Sequence, residues 1–119
     1  TEIRNGDGDL VPVLAGTLVT AAFSRDDRVT GSAGCNRYFA SYSADGNGIT
    51  IRNAGSTKMF CGSPEGLMVQ EGRFLSHLAV ASTFTINGTV LTLRGSPGLP
   101  LLVFREGAAA RETGSLPAP

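Results

Sequence analysis

The sequence predicts an α+β fold in which an antiparallel, curled sheet packs around one amphipathic helix. Three observations point there. Short apolar and threonine-rich runs alternate with glycine-rich turns on both sides of the middle of the chain. One stretch after Cys61 switches to three- and four-residue apolar spacing. Asn87-Gly88 separates two alternating runs, the strongest short-range hairpin signal in the chain. A length of 119 residues corresponds to one domain, and a chain of that size buries roughly two-thirds of its unfolded surface, enough for one core.

The elements follow in order. Residues 1–4 read as the end of a strand, with Ile3 its single apolar residue, and Asn5-Gly6-Asp7-Gly8 as a turn. Residues 10–14 are apolar, but Pro12 argues against a central strand, because proline cannot donate to the ladder. Residues 17–23 and 29–33 form a hairpin about the polar turn 24–28. Residues 36–43 alternate Tyr38, Ala40 and Tyr42 against Arg37, Phe39 and Ser41, and turn at 45–48 into a strand at 49–52.

After Cys61 the character changes. Ser63 suits an N-cap, Pro64 the first helical position and Glu65 the first turn. Leu67, Met68, Glu71, Phe74, Leu75, Leu78 and Ala79 then form one stripe, with Val69, Gln70, Arg73 and His77 largely on the other faces. The helix ends near Ala81 and, carrying Gly66 and Gly72, depends on packing for its stability. Residues 83–86 and 89–94 flank the Asn87-Gly88 turn, and residues 100–104 make the last strand. The domain is expected to span 1–105, with 106–119 as a flexible tail lacking apolar periodicity.

Composition limits the function classes. Ten cationic and ten anionic side chains balance, so no overall field draws in nucleic acid or an acidic membrane surface. No apolar run approaches the ~20 residues that span a bilayer as a helix. A chain that starts at Thr1 carries no leader of its own and is expected to be a mature or trimmed form.

The two cysteines, Cys35 and Cys61, bracket the 45–48 turn. They admit a disulfide, a free thiol pair, or a nucleophile at Cys35 with the lone histidine, His77, as base. The low charge and the absence of metal-type spacing favour the disulfide. With these few ligands, neither a metal nor a cofactor is expected. Asn36, Arg37, Tyr38 and Lys58 form a candidate surface patch: the two cations as anion donors, Tyr38 as a stacking face. The alternative is that Asn36 satisfies a turn and Tyr38 packs. Glu71 lies on the apolar stripe, and a buried carboxylate needs a partner, so Glu71 and Arg37 are a candidate buried ion pair, with Lys58 the other choice.

Gly34-Cys35-Asn36-Arg37-Tyr38, then Ser56-Thr57-Lys58-Met59-Phe60-Cys61, a helix with Glu71-Gly72-Arg73-Phe74-Leu75, and Leu91-Thr92-Leu93 before Leu102-Val103-Phe104 together resemble the META domain (HslJ-like) family. The match covers residues 10–105. The chain departs from the family in having no tryptophan-bearing first strand: residues 1–4 would be only its end, leaving an open edge for pairing with another chain or a tandem META domain.

The resemblance implies a partly open, barrel-like antiparallel sheet against one helix, in exported proteins and lipoproteins linked to heat shock and stress tolerance. It implies an extracytoplasmic, non-enzymatic interaction module at the cell envelope. The fold also resembles a lipid-binding pilot protein of secretion systems. The alternative function is therefore binding of an apolar ligand or lipid between helix and sheet, with Met59, Phe60, Leu67, Met68, Phe74 and Leu78 as candidate lining.

Overall fold

The computed structural model describes residues 1–96 and 98–105. Nine strands and one helix succeed one another: β1 (Glu2–Arg4), β2 (Leu10–Pro12), β3 (Ala22–Phe23), β4 (Arg28–Ser32), β5 (Arg37–Asp45), β6 (Gly48–Ser56), α1 (Leu67–Val80), β7 (Thr83–Asn87), β8 (Val90–Gly95) and β9 (Leu99–Arg105). All pairings are antiparallel, in the order β2-β1-β9-β8-β7-β6-β5-β4-β3. The expected α+β class, one helix on a curled and unclosed sheet, is the architecture observed. The tail expected at 106–119 lies outside the described residues.

Register shifts between Phe39 and Ser41 and between Leu93 and Arg94 add bend to the normal strand twist. The sheet curls far enough that one side-chain hydrogen bond links the neighbourhoods of its two ends, without a ladder closing it. The Thr1 hydroxyl, beside β2, donates to the carbonyl of Val19 near β3 at 2.7 Å. The residue-1–4 segment is therefore not the open edge the sequence suggested: β1 is paired with β2 on one side and β9 on the other. The two edges are β2 and β3, both very short, as edges tend to be.

The helix lies in the concave face. Leu67, Glu71, Phe74 and Leu78 are buried on it, four members of the predicted stripe. Phe74 and Leu78 are fully enclosed together with Tyr38, Val29, Leu93 and Leu102. Phe74 meets Tyr38 and Phe104 edge to face, with ring centroids 5.3 and 6.1 Å apart, the geometry that aromatic quadrupoles favour.

Two local expectations are corrected. The helix does not start at Ser63 and Pro64. Its N-cap is Gly66, at φ 88° and with no side-chain cap, and Glu65 falls outside the first turn. Residues 61–66 carry the chain away from Cys61, which is fixed to Cys35, and the Leu67 N–H bonds the Pro64 carbonyl in a tight turn. Glycine enters the left-handed conformation of that turn at little cost.

The strand expected over 17–23 is regular only at Ala22–Phe23, apart from a Val19–Ala33 bridge. At Thr20 one backbone bond remains, from its N–H to the Ser32 carbonyl at 2.9 Å, and side chains supply the rest. The Thr20 hydroxyl accepts the Ser32 N–H at 3.0 Å, and the Tyr38 hydroxyl donates to the Thr20 carbonyl at 2.6 Å. The connection from β2 to β3 is held to the helix by Gln70, whose amide accepts from the Leu14 N–H at 2.8 Å and donates to the Thr17 hydroxyl at 3.3 Å.

Candidate functional site at the disulfide

Three segments converge at one end of the curled sheet: the turn between β4 and β5, the strand-like exit from β6, and the first half of α1. Cys35 and Cys61 form a disulfide with Cα atoms 5.9 Å apart, across a separation of 26 residues. In the chain-entropy account, closing such a loop stabilises the domain by about 3 kcal/mol. Reductant is accordingly expected to lower the urea midpoint of the purified protein by that amount of stability, and an unchanged midpoint would contradict the assignment.

Asn36 is the centre of the cluster. It is only 3% exposed, and every hydrogen-bonding position of its amide is used. Its Oδ1 accepts from the Thr57 hydroxyl (2.8 Å) and the Met59 N–H (2.7 Å). Its Nδ2 donates to the Met59 carbonyl (3.0 Å) and to Glu71 Oε2 (2.7 Å). Two acceptor and two donor positions are the full capacity of an asparagine amide.

Glu71 completes the knot. It is 4% exposed, and its Oε1 accepts the successive N–H groups of Cys35 (2.9 Å) and Asn36 (2.7 Å). The turn presents both donors to one oxygen because Gly34 holds φ 120°, a region that side-chain-bearing residues rarely enter, and a Cβ there would lie 2.9 Å from Leu67 Cδ1. Consecutive N–H groups of this kind make an anion-binding concavity. Here the anion is the protein's own carboxylate.

This arrangement corrects the candidate ion pair. Arg37 is exposed, and Glu71 is satisfied by neutral N–H donors instead. Among the described residues the ion pair present is Glu2–Arg105, at 3.4 Å on the surface. The alternation of β5 explains why: Tyr38 faces the core, so Arg37 faces out. The same alternation breaks up the candidate surface patch. Asn36 and Tyr38 are buried, while Arg37 and Lys58 are exposed. His77 is not a solvated residue either; it is half-buried, with Nε2 donating to the Arg4 carbonyl at 2.8 Å, away from the disulfide-bonded Cys35.

Sequence reasoning missed Thr57, Thr20 and Gln70 as bonding partners, and each was legible only as a polar residue able to cap or bridge backbone. The expected cavity lining also divides. Leu67, Phe74 and Leu78 are core, Met68 is half-buried, and Met59 and Phe60 are exposed. Concave space occurs elsewhere, as a groove of about 310 Å³ on the flank of α1 against β1 and β2, with Val11, Leu14, Val69 and Arg73 in its walls.

Burial pushes the Tyr38 phenol well above its ordinary range, with the neighbouring Arg37 partly opposing the shift. Tyr42 is raised as well, by burial and then by Asp27 and Asp26. Since the unfolded phenols lose their protons near pH 10 and the folded ones retain them, the native state holds more protons above that pH. Stability must therefore fall as pH rises beyond about 10. Tyr38→Phe is expected to flatten this alkaline slope in urea melts between about pH 9 and 11, while lowering stability at neutral pH by about 1 kcal/mol through the unpaired Thr20 carbonyl.

The fold and this cluster define a small one-helix α+β module, cross-linked where its sheet turns back and locked there to its helix. A family model, the META domain, matches residues 2–108. The chain belongs to the META domain family. Two solved structures are similar. One is an NMR structure of a protein from Burkholderia xenovorans, with a TM-score of 0.68 and 24% identity over 89% of this chain and 78% of that one. The other, also from NMR, has a TM-score of 0.62 and 19% identity over 87% and 85%. At these identities they speak for the fold alone. No curated protein matches the chain.

Proposed function

We propose that this chain is a non-enzymatic, exported domain that acts by interaction at the cell envelope, in stress tolerance. The observation that carries the reading is what the conspicuous residues are used for. Asn36, Glu71, Tyr38 and the cysteine pair, where chemistry would be sought, are bonded to one another or to backbone. A disulfide supports an oxidising compartment. Among the described residues no helix is long and apolar enough to cross a membrane. The test is thiol trapping in cells expressing the natural protein. Cysteines that resist alkylation until reductant is added, in the extracytoplasmic fraction, are expected; freely alkylated cysteines in the cytosolic fraction would overturn the reading.

A second reading, binding of a small apolar ligand, is favoured by the flank groove rather than by the core. Its mostly apolar walls and one cation suit a fatty acyl chain with an anionic head. Saturable uptake of a fluorescent fatty acid, abolished by Val69→Lys, would support it; absence of uptake would remove it.

A further inference from the structure

Met59 and Phe60 are adjacent, apolar and 58% and 81% exposed. A loop with two such residues usually gains by folding them back onto the protein. Here both side chains stand exposed while the backbone beneath them is fixed. The N–H and the carbonyl of Met59 are both held by Asn36. One residue beyond Phe60, the chain is pinned through the Cys35–Cys61 disulfide. The backbone of the apolar tip is thus held by the fully bonded Asn36 amide and the disulfide, and little ordering of it remains to be done on contact.

We infer that this tip is a lipid-contacting finger: Met59 and Phe60 enter the headgroup–acyl boundary of an anionic bilayer, with Lys58 and Arg37 at the phosphates. Lys58 precedes the tip and is exposed. Arg37 is exposed too, and the Thr57 N–H bonds its carbonyl at 3.0 Å, which brings the second cation beside the base of the finger. Glu65 is the nearest acid in the following segment, so the local balance remains cationic although the whole chain is neutral.

Size decides between a membrane and a protein partner. Taking a large side chain as about 200 Å², the tip offers roughly 300 Å². A stable protein interface takes about 800 Å² from each partner, whereas interfacial insertion needs no matching surface and scales with the apolar area immersed and the charge beside it. The inference deepens the envelope reading and rests on it for its setting.

The test uses the purified, oxidised protein and vesicles of phosphatidylcholine alone or with 30% phosphatidylglycerol. Phe60→Trp should shift its emission to the blue on the mixed vesicles and be quenched by brominated acyl chains. Phe60→Ser and Met59→Ser should each lower the bound fraction at least fivefold, and Lys58→Gln should remove the preference for the anionic lipid. Val80→Ser, at a comparably exposed apolar position on α1 (62%), should leave binding unchanged. Unshifted Trp emission, or equal loss from Val80→Ser, would overturn the finger. Failure of vesicle binding by a protein still exported and oxidised would discard the lipid contact and leave the envelope reading standing.

Discussion

Asn36→Ala is expected to destabilise the domain by about 4 kcal/mol, more than any other single polar substitution at the disulfide end. The amide side chain joins three segments that are far apart in sequence, and its removal strands partners on each. Glu71 Oε2 loses its donor, the Thr57 hydroxyl loses its acceptor, and the Met59 N–H and carbonyl lose both of theirs. A buried polar group left unpaired costs about 1–3 kcal/mol. Those near the surface recover part of that by taking up water, which holds the total below the plain sum.

The measurement is urea denaturation of wild type, Asn36→Ala, Glu71→Gln and the double variant, all oxidised. Because the two side chains share a bond, the double-variant loss should be smaller than the sum of the singles by at least 1 kcal/mol. Additive losses would mean that the cluster is not one unit. Asn36→Asp is a sharper variant, since it faces a second carboxylate toward Glu71. Repulsion disfavours the charged forms, so this variant should gain stability relative to wild type as pH falls through the carboxylate range.

Phe74→Ala carries the other large effect, about 3–5 kcal/mol. Phe74 is 0% exposed and stands between Tyr38 on β5 and Phe104 on β9, two strands on opposite halves of the curled sheet. The backbone around it is bonded into helix and sheet, so the site can collapse only partly and a cavity remains. Phe74→Leu should recover more than half of the loss in thermal or urea melts. A loss below about 1 kcal/mol for Phe74→Ala would show that helix and sheet are not packed as described.

Of these two residues, sequence patterning placed Phe74 in the core, whereas Asn36 was singled out as part of a candidate surface patch and proved to be buried. Phe74 was legible because helical spacing is a local property: residues three and four apart share a face whatever the rest of the chain does. The alternation of Tyr38 and Tyr42 was legible on the same ground. Asn87-Gly88 declared a hairpin because turn chemistry is local, although its register was read one residue early: Asn87 ends β7 and pairs with Val90, so the two turn residues are Gly88, at φ 64°, and Thr89. Glu71 stood out on its apolar stripe, so the need for a buried partner could be stated before any fold was known.

The identity of that partner could not. The N–H groups of Cys35 and Asn36 lie 36 and 35 residues from Glu71, and backbone donors leave no mark in a sequence because every residue but proline has one. Arg37 was the natural guess by charge. The register of β5 turned it outward and let the turn at Gly34 supply neutral donors instead. The helix start was misplaced for a similar reason: Ser63, Pro64 and Glu65 have good local preferences, but the chain there is still leaving the disulfide.

The amino-acid sequence by itself determined the class of fold, the order of strands about one helix and the inward faces, since all of these depend on periodicity and on turn residues close together in the chain; the META resemblance rested on its motif residues, Gly34 to Tyr38 and Ser56 to Cys61 above all. Tertiary structure alone decided which polar groups satisfy Glu71 and Asn36, that β2 and β3 rather than β1 are the sheet's edges, and that Met59 and Phe60 face outward. Those outcomes depend on where distant segments meet, which hydrogen-bond satisfaction and close packing select only once the chain has folded.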